Sequence, residues 1–261
     1  MRKIAKPSFD VKQIIYDCVS TYRSTTKKQR IKKYADYIQA KSVEYDSLAI
    51  TASLSSIPCN CDINGNDFKD DMISLYEDKF AKNSDLREKY YDKLIVAAPG
   101  GVCPICGLGQ VGNLDHYLPK SLYPTYSVTP FNLIPVCRDC NFIKLDKKID
   151  EGKSLIHPYY DEINDIVWLK TKLSIHNGGL IPQYYVDANL QQNNFKIYER
   201  YKFHMETYKL FNRYSIEATR EIADNKSLWK NYLEKYGEAF LVELLNECNK
   251  SFEAVCKNTW K

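Results

Sequence analysis

Two C-x-x-C knuckles, Cys103-Pro-Ile-Cys106 and Cys137-Arg-Asp-Cys140, stand thirty residues apart, and no other feature of the chain constrains its fold as tightly. Each knuckle sets two thiolates on one side of a tight turn. Four thiolates make a closed tetrahedral zinc site, which contributes to folding and leaves no position open for catalysis. Cys103, Cys106, Cys137 and Cys140 are therefore read as ligands of a structural zinc ion. The opening residues, MRKIAKPSFD, lack the apolar stretch of a signal peptide, and the longest apolar runs, Leu94 to Ala98 and Ala239 to Val242, are far too short to span a bilayer. The expectation is a cytoplasmic protein with no membrane partner, in a compartment where thiols stay reduced and clustered cysteines bind metal. The remaining cysteines, Cys18, Cys59, Cys61, Cys248 and Cys256, are scattered and read as small hydrophobes, with Cys59 and Cys61 in a loop of no metal role.

With 44% hydrophobic and 27% charged residues, the 261-residue chain has the composition of a globular protein and not of a disordered one. The net charge of +4 is small, but ten lysines and arginines face only Asp10 and Asp17 within residues 1–33. That bias describes either a phosphate-facing surface or a solvated helix face.

Apolar residues recur at three- and four-residue steps from Asp10 to Leu54 (Ile14, Ile15, Cys18, Val19; Ile31, Tyr34, Ala35, Ile38), which predicts amphipathic helices. Loop formers cluster between Ser55 and Asp67, and Met72 to Ala97 reads as one or two further helices ending at Pro99-Gly100-Gly101. Beyond the cysteine segment, Ile166 to Ile175 alternates, and His176-Asn177-Gly178-Gly179 leads into Leu180 to Val186, the signature of a β-hairpin. Helical periodicity returns from Asn193 to the end, and His176 and His204 are read as a turn residue and a packing or surface residue. The expected organisation is a helical region over 1–99, a core over 100–160 that carries the zinc knuckles, and a hairpin with helices over 161–261.

The interval between the knuckles is longer than a zinc ribbon needs, and its residues carry chemistry. Asp115-His116, then Asn132 in Phe-Asn-Leu-Ile-Pro, then Asn141-Phe-Ile-Lys144 directly after the second knuckle, resemble the HNH endonuclease pattern in the variant whose last histidine is asparagine, as in HNH domains of CRISPR effector nucleases. The resemblance covers about forty residues. It implies an α+β, mostly helical chain with a ββα-metal core and a four-cysteine zinc site, flanked by helical regions. It further resembles HNH proteins of bacterial antiphage systems, the Septu and retron-associated groups, which implies an ATPase partner.

A nuclease must activate water, hold a phosphodiester in line and stabilise the charge on the leaving oxygen. His116 is the candidate general base, since an imidazole titrates near neutrality. The Asp115 carboxylate and the Asn141 side-chain oxygen are hard donors suited to Mg²⁺ or Mn²⁺. Asn132, by the resemblance, is structural: its amide donates and accepts at once, tying the loop that holds His116. Arg138 and Lys144 are candidate phosphate contacts, with Lys147, Lys148 and Lys153 extending the grip. Adjacent residues of a regular strand point to opposite faces, so Asp115 and His116 share a site only at a bend or a strand edge. His157 reads as a buried, hydrogen-bonded histidine more readily than as a site residue. The expectation is thus a metal-dependent endonuclease acting on DNA. The alternatives are a zinc-stabilised binding or scaffold module without catalysis, and a nuclease directed at RNA, for which some of the 21 tyrosines would stack bases.

Overall fold

The structure is a computed structural model that describes residues 1–59, 66–144, 154–255 and 258. Cys61, Cys256, Asp146, Lys147, Lys148, Asp150, Glu151 and Lys153 lie outside the described residues. The chain is mostly helical with two small antiparallel sheets, and it divides into two compact units, Lys3–Asp161 and a unit of residues 1–2 with 162–261. No helix among the described residues is long and apolar enough to cross a membrane.

The larger unit starts with helices whose boundaries follow from their caps. Asp10 accepts a hydrogen bond from the Gln13 N–H and opens α1 (Val11–Ser20), which buries Val11, Ile14, Ile15, Cys18 and Val19 along one stripe. Ser24 caps α2 (Thr25–Lys33) in the same way. Only Ile31 of α2 is buried, because the rest of its sequence is too polar to enter a core. Helix α3 (Ala35–Ile50) carries Tyr45 into the interior. The expected helix after the loop begins earlier than Met72: α4 (Asn66–Ser74) runs on into a π-helical stretch, Leu75–Phe80, and Asn83 then caps a short turn that leads to α5 and α6, here Ser84–Leu86 and Asp92–Val96. Gly100 and Gly101 both take positive φ at the end of this layer, as the glycine-rich break required.

Strand β1 (Val111–His116) then pairs antiparallel with β2 (Leu133–Cys137), with His116 opposite Leu133 and Asp115 opposite Ile134, and α7 (Arg138–Lys144) follows β2 without a gap. Leu114, Val128 and Leu133 pack in the same core as Ile14, Ile15, Phe68, Met72 and Phe80. Packing is therefore continuous across residues 99 and 100. The helical layer is the support on which the strand pair rests.

In the second unit, β3 (Leu169–His176) and β4 (Gly179–Val186) form the expected hairpin. Its two-residue loop, Asn177-Gly178, has both φ angles positive, as a type I′ turn demands. Helices α8 (Ala188–Asn193), α9 (Phe195–Thr207) and α10 (Leu210–Val255) follow, the last interrupted at Gly237, whose φ of 83° only glycine takes without strain. Trp168 is fully buried against Tyr201, and Tyr184 of β4 meets Tyr214 of α10 edge-on. His204 is buried beside Tyr208. Asn258 closes this unit. Its Oδ1 accepts from the N–H groups of Trp168 and Leu169 at 2.9 and 3.1 Å, and its Nδ2 donates to the carbonyls of Ile163 and Ile166. Asn258→Ala strips two buried N–H groups of their acceptor, each costing about 1–3 kcal/mol. A urea titration followed by Trp fluorescence should show the second unit losing about 2–4 kcal/mol; a loss under about 0.5 kcal/mol would show that the amide is not a tie.

Candidate active site and metal centre

The four knuckle cysteines converge as their spacing predicted. All are buried, and their sulfur atoms lie within 4.8 Å of one another. The Cys106 and Cys137 sulfurs are 3.7 Å apart, close to the separation of about 3.8 Å that two thiolates have on a tetrahedral zinc with bonds near 2.3 Å. Local backbone bonds shape the first knuckle: the Gly107 N–H donates to the Cys103 carbonyl at 2.8 Å, the Leu108 N–H donates to the Cys106 sulfur at 3.4 Å, and the Cys103 N–H donates to the Gly109 carbonyl. A Cβ on Gly109 would stand 2.7 Å from the Cys137 Cβ and 2.9 Å from its sulfur, so only glycine lets the two knuckles close. Among the described residues this is the one group of three or more potential ligands that could hold a metal ion, and its all-sulfur donor set fits zinc. Cys59 is half-buried and donates to the Tyr123 hydroxyl oxygen, outside this group.

Helix α7 starts inside the second knuckle. Cys140 and Lys144, four residues apart, form its inward face. Lys144 does not project toward solvent as a phosphate contact would. It is 1% exposed, and its Nζ lies 3.0 Å from Asp115 Oδ2 and 2.5 Å from the His116 carbonyl oxygen. The cause is electrostatic: a half-buried carboxylate on the face of β1 that meets α7 requires a counter-charge, and Lys144 supplies most of it, with a weaker pull from Lys120. Burial pushes the Asp115 carboxyl above its ordinary pKa, against the opposing pull of the Lys144 ammonium. Arg138 is exposed in the first turn of α7, and Asn141 is half-buried one turn before Lys144.

His116 occupies the opposite face of β1, as strand alternation requires. The strand irregularity lies upstream, between Val111 and Asn113, and does not bring the two side chains round to one face. The imidazole is 5% exposed and stands edge-on to Tyr76, 4.4 Å between centroids. Its Nε2 is 2.8 Å from the Ser127 carbonyl. A carbonyl only accepts, so Nε2 carries the proton and Nδ1 keeps its lone pair. Burial pushes the pKa down to about 3, with the positive charges of Lys120 and Lys144 acting in the same direction, so the ring is neutral at physiological pH.

Asn132 ties the loop between the strands. Its Oδ1 accepts from the Leu118 N–H at 2.8 Å and the Tyr45 hydroxyl at 3.1 Å, while its Nδ2 donates to the Leu118 and Tyr126 carbonyls. His157 is buried in an aromatic cage of Tyr45, Tyr117, Tyr159 and Tyr160, and its Nε2 is 3.1 Å from the Tyr45 hydroxyl. It supports the loop from behind. Tyr45, Tyr76, Ser127 and Gly109 were not visible as site residues in the sequence. The first two come from helices remote in the chain, Ser127 acts through its backbone, and Gly109 acts through lacking a side chain.

The arrangement of two antiparallel strands, a tied loop, a four-thiol cluster and a following helix defines a cysteine-clamped α+β unit that can hold a metal ion. The chain is similar to Protein ea31 of Escherichia phage lambda, 35% identical over 169 residues. The aligned stretch spans 61% of this chain and 55% of that protein, so the chain matches about half the length of this curated relative. No protein-family model matches the chain, and no solved structure matches it.

The purified protein should carry one zinc ion, and Gly109→Ala should lose it nearly as completely as Cys137→Ser, because the added methyl and the Cys137 side chain cannot share one position. Elemental analysis of both variants checks this; full zinc occupancy in Gly109→Ala would contradict the close approach.

Proposed function

We propose that the chain is a metal-dependent endonuclease of the HNH type that hydrolyses phosphodiester bonds in DNA, with the four-thiol cluster holding a structural zinc ion. The observation that carries this reading is the adjacency, at the end of β1, of an Asp115 carboxylate held by Lys144 and, on the opposite face, a neutral His116 whose tautomer the Ser127 carbonyl fixes. In this reading Nδ1 of His116 takes the proton of the attacking water. The Ser127 carbonyl keeps Nε2–H engaged, so that the lone pair is on Nδ1 when the water arrives, and protonation there gives the imidazolium. Asn132 keeps the loop over His116 in register with the strand pair.

Asp115 and Asn141 would hold Mg²⁺ or Mn²⁺, which when bound polarises the scissile phosphate and neutralises the departing oxygen. Lys144 takes one Asp115 oxygen and so orients the carboxylate, while the exposed Arg138 remains the phosphate contact on α7. The cover over His116 is Tyr76, within a π-helical stretch, a distortion frequent at functional sites. The wider setting, a bacterial antiphage system with an ATPase partner, belongs to this proposal through the family resemblance alone.

One observation favours the second reading, a zinc-stabilised module without catalysis: the Lys144 ammonium already sits against Asp115, where a catalytic cation would bind. The RNA reading is weakened because eleven tyrosines are buried in the two cores, where they cannot stack bases.

Supercoiled plasmid incubated with wild type and His116→Ala, each with Mg²⁺ or Mn²⁺ and with EDTA, separates these readings. Metal-dependent cutting should fall by about 10²-fold or more in His116→Ala with zinc content unchanged, the range for loss of a general base. Equal cutting by both proteins sinks the HNH mechanism. Cutting of single-stranded RNA in preference to plasmid moves the reading to the RNA nuclease.

A further inference from the structure

Helix α2, Thr-Thr-Lys-Lys-Gln-Arg-Ile-Lys-Lys, holds five cations and no carboxylate in nine residues. The structure divides those cations into two groups. Arg30 and Lys27 are anchors. The Arg30 guanidinium grips Asp71 of α4 through two bonds of 2.6 and 2.8 Å, with Asp67 3.8 Å away, and Lys27 donates to the Ser74 hydroxyl with Asp71 at 3.6 Å. Asp71 is 1% exposed, so these contacts fix the side of α2 that faces the protein. Lys28, Lys32 and Lys33 form the other group. Among the described residues they make no ion pair, and Lys32 and Lys33 are exposed while Lys28 is half-exposed.

The helix that α2 grips leads to the candidate site. Asp71 and Tyr76 are five residues apart on the continuous helix from Asn66 to Phe80, about 7.5 Å at 1.5 Å per residue, and Tyr76 touches His116. Cations alternate with aromatic rings along this path. Lys120 lies over Tyr76 at 5.6 Å and beside Glu77, and Lys79 and Lys27 both lie over Tyr22, at 4.5 and 4.8 Å. An unmatched cationic face, on a helix anchored to the segment that carries Tyr76, has a polyanion as its natural complement.

We propose that α2 is a sequence-independent docking surface for the backbone of duplex DNA, with Lys28, Lys32 and Lys33 contacting phosphates and Arg30 and Lys27 holding the helix in place. The surface rests on the reading of the neighbouring site as a nuclease, because duplex DNA is named as occupant through that chemistry. Each phosphate contact releases a counterion and contributes about 0.9 to the slope of log K against log salt concentration.

The test is fluorescence anisotropy of a short labelled DNA duplex, across a sodium chloride series, in a His116→Ala background so that binding is read without cutting. The variant Lys28→Gln, Lys32→Gln, Lys33→Gln should lower the salt slope by about 2–3, and it should do so equally for unrelated sequences. A control variant with Lys196, Lys226 and Lys230 changed to glutamine should leave the slope within about 0.5 of its parent. An unchanged slope in the α2 variant overturns the surface, as does failure of the parent to bind duplex at low salt or tighter binding to single-stranded RNA. Circular dichroism and the zinc content confirm that the variant is folded. Plasmid cutting is read separately on proteins that retain His116. Cutting with an unchanged salt slope leaves the nuclease and removes the surface, and an α2-dependent slope without cutting does the reverse.

Discussion

The side chain of Asn132 uses its whole hydrogen-bonding capacity inside the protein: two acceptor positions on the oxygen and two N–H bonds, all engaged with no solvent contact. Its main chain adds two more bonds, to Tyr117 and Thr129. The amide therefore fixes where β1 ends, where β2 begins and how the sixteen intervening residues return. Behind it the donors run in one direction. The Tyr159 N–H donates to His157 Nδ1, so Nε2 carries the proton and donates to the Tyr45 oxygen, and the Tyr45 hydroxyl donates to Asn132. No other side chain of similar size satisfies this set: aspartate would place an acceptor against two carbonyls, and leucine would leave four buried groups without partners. The position of Ser127, and with it the tautomer of His116, depends on this loop.

Asp115 and His116 are adjacent in sequence and sit in contrasting environments. Among the described residues His116 has no carboxylate partner and is held neutral by burial, whereas Asp115 is drawn to the face of α7 and matched by a buried lysine. One side of the strand thus carries a neutral base and the other a compensated charge. Among the described residues β1 pairs on one edge, with β2.

The sequence reading recovered what local rules govern. Alternation, the Asn-Gly turn and helical periodicity depend on near neighbours, so the β3–β4 hairpin, α1 and the two glycines after Pro99 could be read directly. The cysteine cluster was legible because metal ligation imposes a spacing on the chain itself. Contacts between distant segments were not. Nothing near Tyr45 signals that it reaches Asn132, eighty-seven residues away, and nothing near Tyr76 signals that it covers His116. Lys144 was misjudged for the same reason. Its place three residues after Asn141 suggests an outward phosphate contact, but the burial of Asp115, known only from packing, decides its direction.

The distribution of charge follows one rule across the larger unit. Where a carboxylate is buried, cations are brought to it: Arg30 and Lys27 to Asp71, Lys144 to Asp115. Half-buried Asp17 draws Lys89 and the Tyr90 hydroxyl, whose bonds outweigh the upward push of burial and hold its pKa below the usual carboxylate value. These pairings satisfy the interior and account for the basic residues that packing requires. Among the described residues no buried acid engages Lys28, Lys32 or Lys33, and they sit where α2 buries a single side chain. A helix with one apolar anchor derives little stability from the core, and its surplus of like charge is a further cost in the isolated protein. A bound polyanion offsets that repulsion, which is the role proposed for α2.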